Sequence, residues 1–341
     1  MGKIGYAVMC EQFGPNELID YSKAAEDNGF TALMVSDHFH PWVPSQGQSP
    51  FAWALMGALG VATKLPFGSG VTPPGFRYHP AILAQAAATL EAMFPGRFYL
   101  GLGAGEALNE HVTGNYWPEA VTRLEMLGEG IEIIRKLFTG KVVKHRGTHF
   151  NLESAKLYTM PAAPPPIYVA TSGPVNAERT GRTCDGIITV GAADDKINML
   201  LDRFEKGAYD AGKNPRNMPR ILQLHVSWAE SDQVATDNAV KEWPNGGMNF
   251  PKADIRNPED FEAMTKIVRP ENFKGRVLMS ADLDVHRQQI QHFVDLGFTE
   301  VHVHNVGRNQ VEFIKAYGKE VIPNIKWPEP AAVVDDESDH Y

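Results

Sequence analysis

Thr31-Ala-Leu-Met-Val-Ser-Asp37-His38-Phe39-His40-Pro41-Trp42 is the stretch that decides how the chain is read. Its apolar run Leu33, Met34 and Val35 has the length and composition of a buried strand, and Pro41 keeps a helix from starting at once. One strand end therefore delivers a carboxylate, two imidazoles and an indole together. Taken alone, the stretch also suits a loop with an N-capping aspartate and surface histidines. A functional reading needs similar events at other strand ends.

Working outward, Ile4 to Met9 is an apolar run, and a helical pattern through Leu18, Ile19, Ala24 and Ala25 stops at Asn28-Gly29. Further strands are expected from Phe67 into the turn at Pro73-Pro74, and at Phe98–Leu102, Ile167–Thr171, Gly186–Val190, Ile221–Trp228 and Glu300–Asn305. Helical patterns at Pro50–Ala62, Ala81–Met93, Pro118–Phe138, Lys196–Ala211 and Asp284–Leu296 separate them, and a last helix runs through Phe313, Ile314 and Tyr317. Val142–Leu152 reads as a hairpin excursion. Residues 229–275 show poor periodicity and read as a long insertion. This alternation implies parallel strands with right-handed crossovers. About eight such units fit a single (β/α)8 barrel over residues 1–330, where chemistry collects at the carboxyl ends of the strands. The acidic tail, residues 331–341, is expected to be disordered.

The 341 residues include 43% hydrophobic and 21% charged side chains, enough apolar mass for a core. A net charge of −9 argues against generic nucleic-acid binding and against docking on an anionic membrane, while leaving room for a local basic pocket. Cys10 and Cys184 stand far apart without metal spacing, which suggests a reducing compartment. The first ten residues lack the apolar core of a signal peptide, and no window approaches a membrane span; a cytoplasmic location is expected.

Gly101-Leu102-Gly103-Ala104-Gly105-Glu106 differs from a dinucleotide fingerprint, because its sixth position is Glu106. It reads as a tight turn whose backbone lies close to a flat ligand, with Glu106 and Asn109 projecting to the barrel mouth. Beside His38, Glu106 supplies a second titratable group for moving a proton. Ser69-Gly70-Val71-Thr72 ends a strand in small residues. Ser172-Gly173-Pro174 sets a proline at a first helical position with free N–H groups ahead of it, a terminus suited to a phosphate. His302 and His304 share one strand face and read as interior or rim residues. No histidine pair has a carboxylate at ligand spacing, so no metal is expected.

At these residues the chain resembles a known family. Asp37-His38-Phe39-His40-Pro41-Trp42, Gly103-Ala104-Gly105-Glu106-Ala107-Leu108-Asn109-Glu110 and Phe76-Arg77-Tyr78-His79-Pro80 resemble the coenzyme F420-dependent branch of the bacterial luciferase-like superfamily. The likeness covers residues 3 to 325 and is nearest to the secondary alcohol and glucose-6-phosphate dehydrogenases. It implies a (β/α)8 barrel, a homodimer, and the deazaflavin coenzyme F420 in the barrel mouth. It further implies His38 and Glu106 as the catalytic pair, with Trp42 packed at the deazaflavin. Asp37, Thr72, Asn109, Ser172, Gly173, Val175 and Val190 would line the coenzyme, and a non-prolyl cis peptide would fall at Gly70-Val71. His40 and Arg276 would face the substrate. The sugar-phosphate dehydrogenases use two lysines at positions falling near Ala193 and Ala263, leaving Arg276 alone to meet a phosphate. The expected substrate is therefore an uncharged or weakly charged alcohol or sugar hydroxyl. A sugar-6-phosphate dehydrogenase and an FMN-dependent monooxygenase of the same superfamily are the alternatives.

Overall fold

The structure, a computed structural model, describes residues 2–328. The strands are β1 (Lys3–Val8), β2 (Ala32–Val35), β3 (Phe67–Ser69), β4 (Phe98–Leu102), β5 (Val143–Arg146), β6 (Asn151–Ala155), β7 (Ile167–Ala170), β8 (Gly186–Val190), β9 (Arg220–Ser227), β10 (Leu278–Met279) and β11 (Glu300–Asn305). Eight of them pair in parallel in the order β11-β1-β2-β3-β4-β7-β8-β9, and β9 pairs back to β11, closing the barrel. The expected (β/α)8 fold is present. β5 and β6 form the antiparallel hairpin, and β10 extends β9 at its carboxyl end. The acidic 331–341 tail lies outside the described residues.

The barrel strands read as continuous apolar runs because both of their faces are buried. On β1, Tyr6 faces the helical ring, with its ring edge-on to Phe30 at 5.9 Å and its hydroxyl donating to Gln310. Met34, Tyr99, Ile188 and Ile221 come from four different strands and pack together inside. Gly5 opens the space that the fully buried His302 ring fills; a Cβ there would fall within that ring. Beneath it, Glu300 accepts from Lys3 at 2.6 Å.

Residues 229–275 hold more order than their sequence suggests. Helices Asp232–Glu242 and Pro258–Thr265 are joined by short turns. Trp243, Met248, Phe261, Val268 and Phe273 build a small core that also takes in Ala7, Met9, Val43 and Leu108. Only Phe261 of those five anchors sits on an α-helix, so no period of 3.6 residues marks them. The segment is thereby clamped over the carboxyl end of the barrel.

Candidate active site

β2 ends at Val35, and the next residues are fastened from below. Ser36 donates from its backbone to the Val8 carbonyl, and its Oγ donates to Glu11 Oε2 at 2.7 Å while accepting from Cys10 N–H. Glu11 is fully buried, and its second oxygen, Oε1, lies 3.4 Å from His38 Nε2 with no hydrogen-bond partner of its own. On the other side of the ring, Nδ1 is 3.1 Å from the His40 carbonyl and 3.3 Å from Asn109 Nδ2. Nδ1 is thus occupied by the loop, and Nε2 is the nitrogen left to exchange a proton. The Trp42 indole lies 5.0 Å from the imidazole and is held edge-on by Phe261 of the insertion.

Asp37 is buried, and both its oxygens are committed: Thr72 Oγ1 donates at 2.6 Å, Arg77 Nη1 at 3.0 Å and the Tyr78 hydroxyl at 3.4 Å. The Arg77 guanidinium also donates through Nε to Glu110 at 2.9 Å, so one buried cation bridges two buried carboxylates. Those two negative neighbours hold Arg77 firmly protonated against the desolvation that opposes its charge. The structure gives Asp37 to this girder, which carries the loop bearing His38. Asn109 serves the same loop, its Oδ1 accepting from the Phe39 and His40 amides. His38 and His40 diverge as an extended segment requires; His40 turns to the Leu108 carbonyl at 2.9 Å and towards His111.

Glu106 stands just before the short helix Ala107–Glu110, in the turn that follows β4. Burial raises its carboxyl above the ordinary range, while positive charge on His38 and Lys252 opposes the rise and Glu11 adds to it. His38 and Glu106 therefore lie within electrostatic reach at one end of the barrel. The glycines before Glu106 act mainly by permitting close approach: a Cβ on Gly101 would collide with the Ser69 carbonyl, and one on Gly103 with the Val71 side chain. Gly105, at φ 78°, makes the turn itself. The Gly70-Val71 peptide is cis.

Ser172 and Gly173 precede the helix Pro174–Thr183, with Pro174 in its first turn. On the same face of the barrel, Val175 is 80% exposed and Val190 46% exposed. Arg276 is also exposed; its two terminal nitrogens go to the Met248 carbonyl and to Asn249, within the insertion. Its charge still bears on Lys252.

Three contributors escaped the sequence reading. Glu11 stands three residues past the end of β1, and the strand-end rule applied to β2 would have found it. Arg77 stood inside a quoted motif with no role assigned. Lys252 comes from the insertion, where no pattern marks it. It donates to the Asn245 carbonyl at 3.0 Å, lies 5.6 Å over the Trp42 ring, and feels Glu106. A lysine thus reaches the site from a position other than Ala193 or Ala263, which corrects the expectation that Arg276 stands alone.

Comparison with known proteins agrees with this fold. The family model for luciferase-like monooxygenases matches residues 2–300. The F420-dependent glucose-6-phosphate dehydrogenase of Microbacterium testaceum is 36% identical over 327 residues, covering 95% of this chain and 97% of that protein. Its counterpart in Nakamurella multipartita is 34% identical over 328 residues, covering 95% and 96%. A solved F420-dependent secondary alcohol dehydrogenase, in complex with an F420-acetone adduct, superposes with a TM-score of 0.90 at 33% identity, covering 95% of this chain and 99% of that one. The chain belongs to the luciferase-like monooxygenase family, within its group of F420-dependent dehydrogenases.

Proposed function

We propose that the protein oxidises a CH–OH group of a small substrate with coenzyme F420 as the partner oxidoreductant. The carrying observation is that His38, backed by buried Glu11, and Glu106 lie within electrostatic reach of each other at the mouth of a closed barrel. The residues present fit the coenzyme. Exposed Val175 and Val190 offer an apolar face for a flat ring system, and the amides ahead of Pro174 suit its phosphate. Bound F420 supplies a ring carbon that exchanges a hydride with the substrate. Trp42 would exclude water beside it, and the Gly70-Val71 backbone would lie against it. Ser172 and Gly173 line the same mouth, with the buried Thr72, Asn109 and Asp37 beneath them.

His38 Nε2 takes the proton of the substrate hydroxyl, and the Glu11 carboxylate stabilises the resulting imidazolium. Glu106, held protonated to a higher pH than an exposed glutamate, is the second acid–base group. His40 and Arg276 belong to the substrate side. The substrate is an alcohol or sugar-type hydroxyl; Lys252 favours, as a second reading, a sugar carrying a phosphate, because its ammonium could meet that anion. A homodimer in the cytoplasm completes the proposal; among the described residues, no helix is long and apolar enough to cross a membrane.

The test mixes protein with oxidised F420 and screens secondary alcohols and sugar phosphates for bleaching of the chromophore. His38→Asn should lower kcat by about 10²–10⁴-fold with F420 affinity retained. Unchanged turnover in that variant, or a purified protein that binds FMN in place of F420, would overturn the reading.

A further inference from the structure

Above His302, at the top of the barrel, two more histidines from adjacent strands meet. His225 of β9 pairs in register with His304 of β11, and their Nδ1 atoms are 2.9 Å apart. His304 Nε2 lies 3.0 Å from Gln12 Oε1. The Gln12 amide nitrogen donates to the Val306 carbonyl at 2.9 Å and to the Glu242 carbonyl at 3.4 Å. Both of those partners can only accept, so Gln12 must present Oε1 to His304. The remaining protons follow in order. His304 carries its hydrogen on Nε2 and offers a lone pair at Nδ1. His225 must then donate from Nδ1, which leaves the lone pair of His225 on Nε2. Among the described residues, no protein group bonds that nitrogen.

Trp243 packs against both rings, at 5.6 Å and 4.6 Å, and fixes their planes. Burial and the neighbouring Lys252 charge push His225 down to about 4, so it stays neutral at physiological pH. Trp243 belongs to the small core against which Trp42 packs, so His225 lies at the same carboxyl end of the barrel as Trp42 and Lys252. No step assigned to His38, Glu11 or Glu106 uses it.

We infer that His225 is a specificity-determining residue whose Nε2 accepts a hydrogen bond from a substrate hydroxyl other than the one oxidised, with His304 and Gln12 as positioning residues that set its tautomer. This rests on the dehydrogenase reading above and adds that the substrate carries at least two hydroxyls. A neutral acceptor flanked by a cation selects a polyol or sugar over a simple alcohol.

The test has two arms. In ¹⁵N-labelled protein, the ring nitrogens should report protonated Nδ1 on His225 and protonated Nε2 on His304, and Gln12→Leu should blur that assignment. This arm needs no turnover. In the second arm, kcat/KM is measured for glucose 6-phosphate and for propan-2-ol with oxidised F420. His225→Phe should lower the ratio of the two values on the order of tenfold, and His225→Gln, which retains an acceptor oxygen, should restore most of it. Protonated Nε2 on His225, an unchanged ratio, or wild-type turnover of propan-2-ol with none of the sugar phosphate would overturn the inference. Turnover of neither compound, nor of any alcohol in the wider screen, would instead sink the dehydrogenase reading, and the tautomer assignment would still be decided by the first arm.

Discussion

Replacing Arg77 with methionine tests the girder beneath the catalytic loop. Methionine keeps the apolar stem and removes the charge that bridges Asp37 and Glu110, whose side chains are 1% and 2% exposed. Breaking a buried ion pair from one side costs about 3–5 kcal/mol. Thr72, Tyr78 and the Arg77 amide remain as donors and soften that figure. The expected loss is therefore about 3–5 kcal/mol at pH 7. Urea unfolding followed by circular dichroism measures it, and adding Asp37→Asn should recover part of the loss. A loss below about 1 kcal/mol, or one that Asp37→Asn leaves unchanged, would refute the buried-bridge argument.

Glu106→Gln should change the pH dependence of stability with a defined sign. A carboxyl raised above its ordinary 4.5 binds its proton more tightly folded than unfolded, so wild-type stability falls as pH rises through that window. The variant should melt at the wild-type temperature near pH 4 and above it near pH 8; equal melting at both would contradict a buried Glu106. Gly5→Ala drives a methyl into the His302 ring and should cost about 1–3 kcal/mol, read as a lowered Tm. Lys252→Met removes a charge that holds Glu106 down, so the Glu106-linked limb of the pH–rate profile should move to higher pH. A limb that stays in place would separate the two groups.

The chain's alternation of apolar runs and helical stripes already dictated a parallel barrel, because the periods are local and each strand's burial is written in its own residues. Asp37-His38 and Gly105-Glu106 were legible for the same reason: polar groups placed where an apolar run stops have only the barrel mouth to go to. Other features depended on closure. That Asp37 is spent on Arg77 and Thr72, that Glu11 backs His38, and that Gln12 reaches His304 across 292 positions are facts of distance between strands, and no local pattern encodes them. Lys252 shows the limit most plainly. Its segment is ordered by Trp243, Met248, Phe261 and Phe273 docking on the barrel end, so tertiary packing alone decided that a lysine would stand over the indole of Trp42.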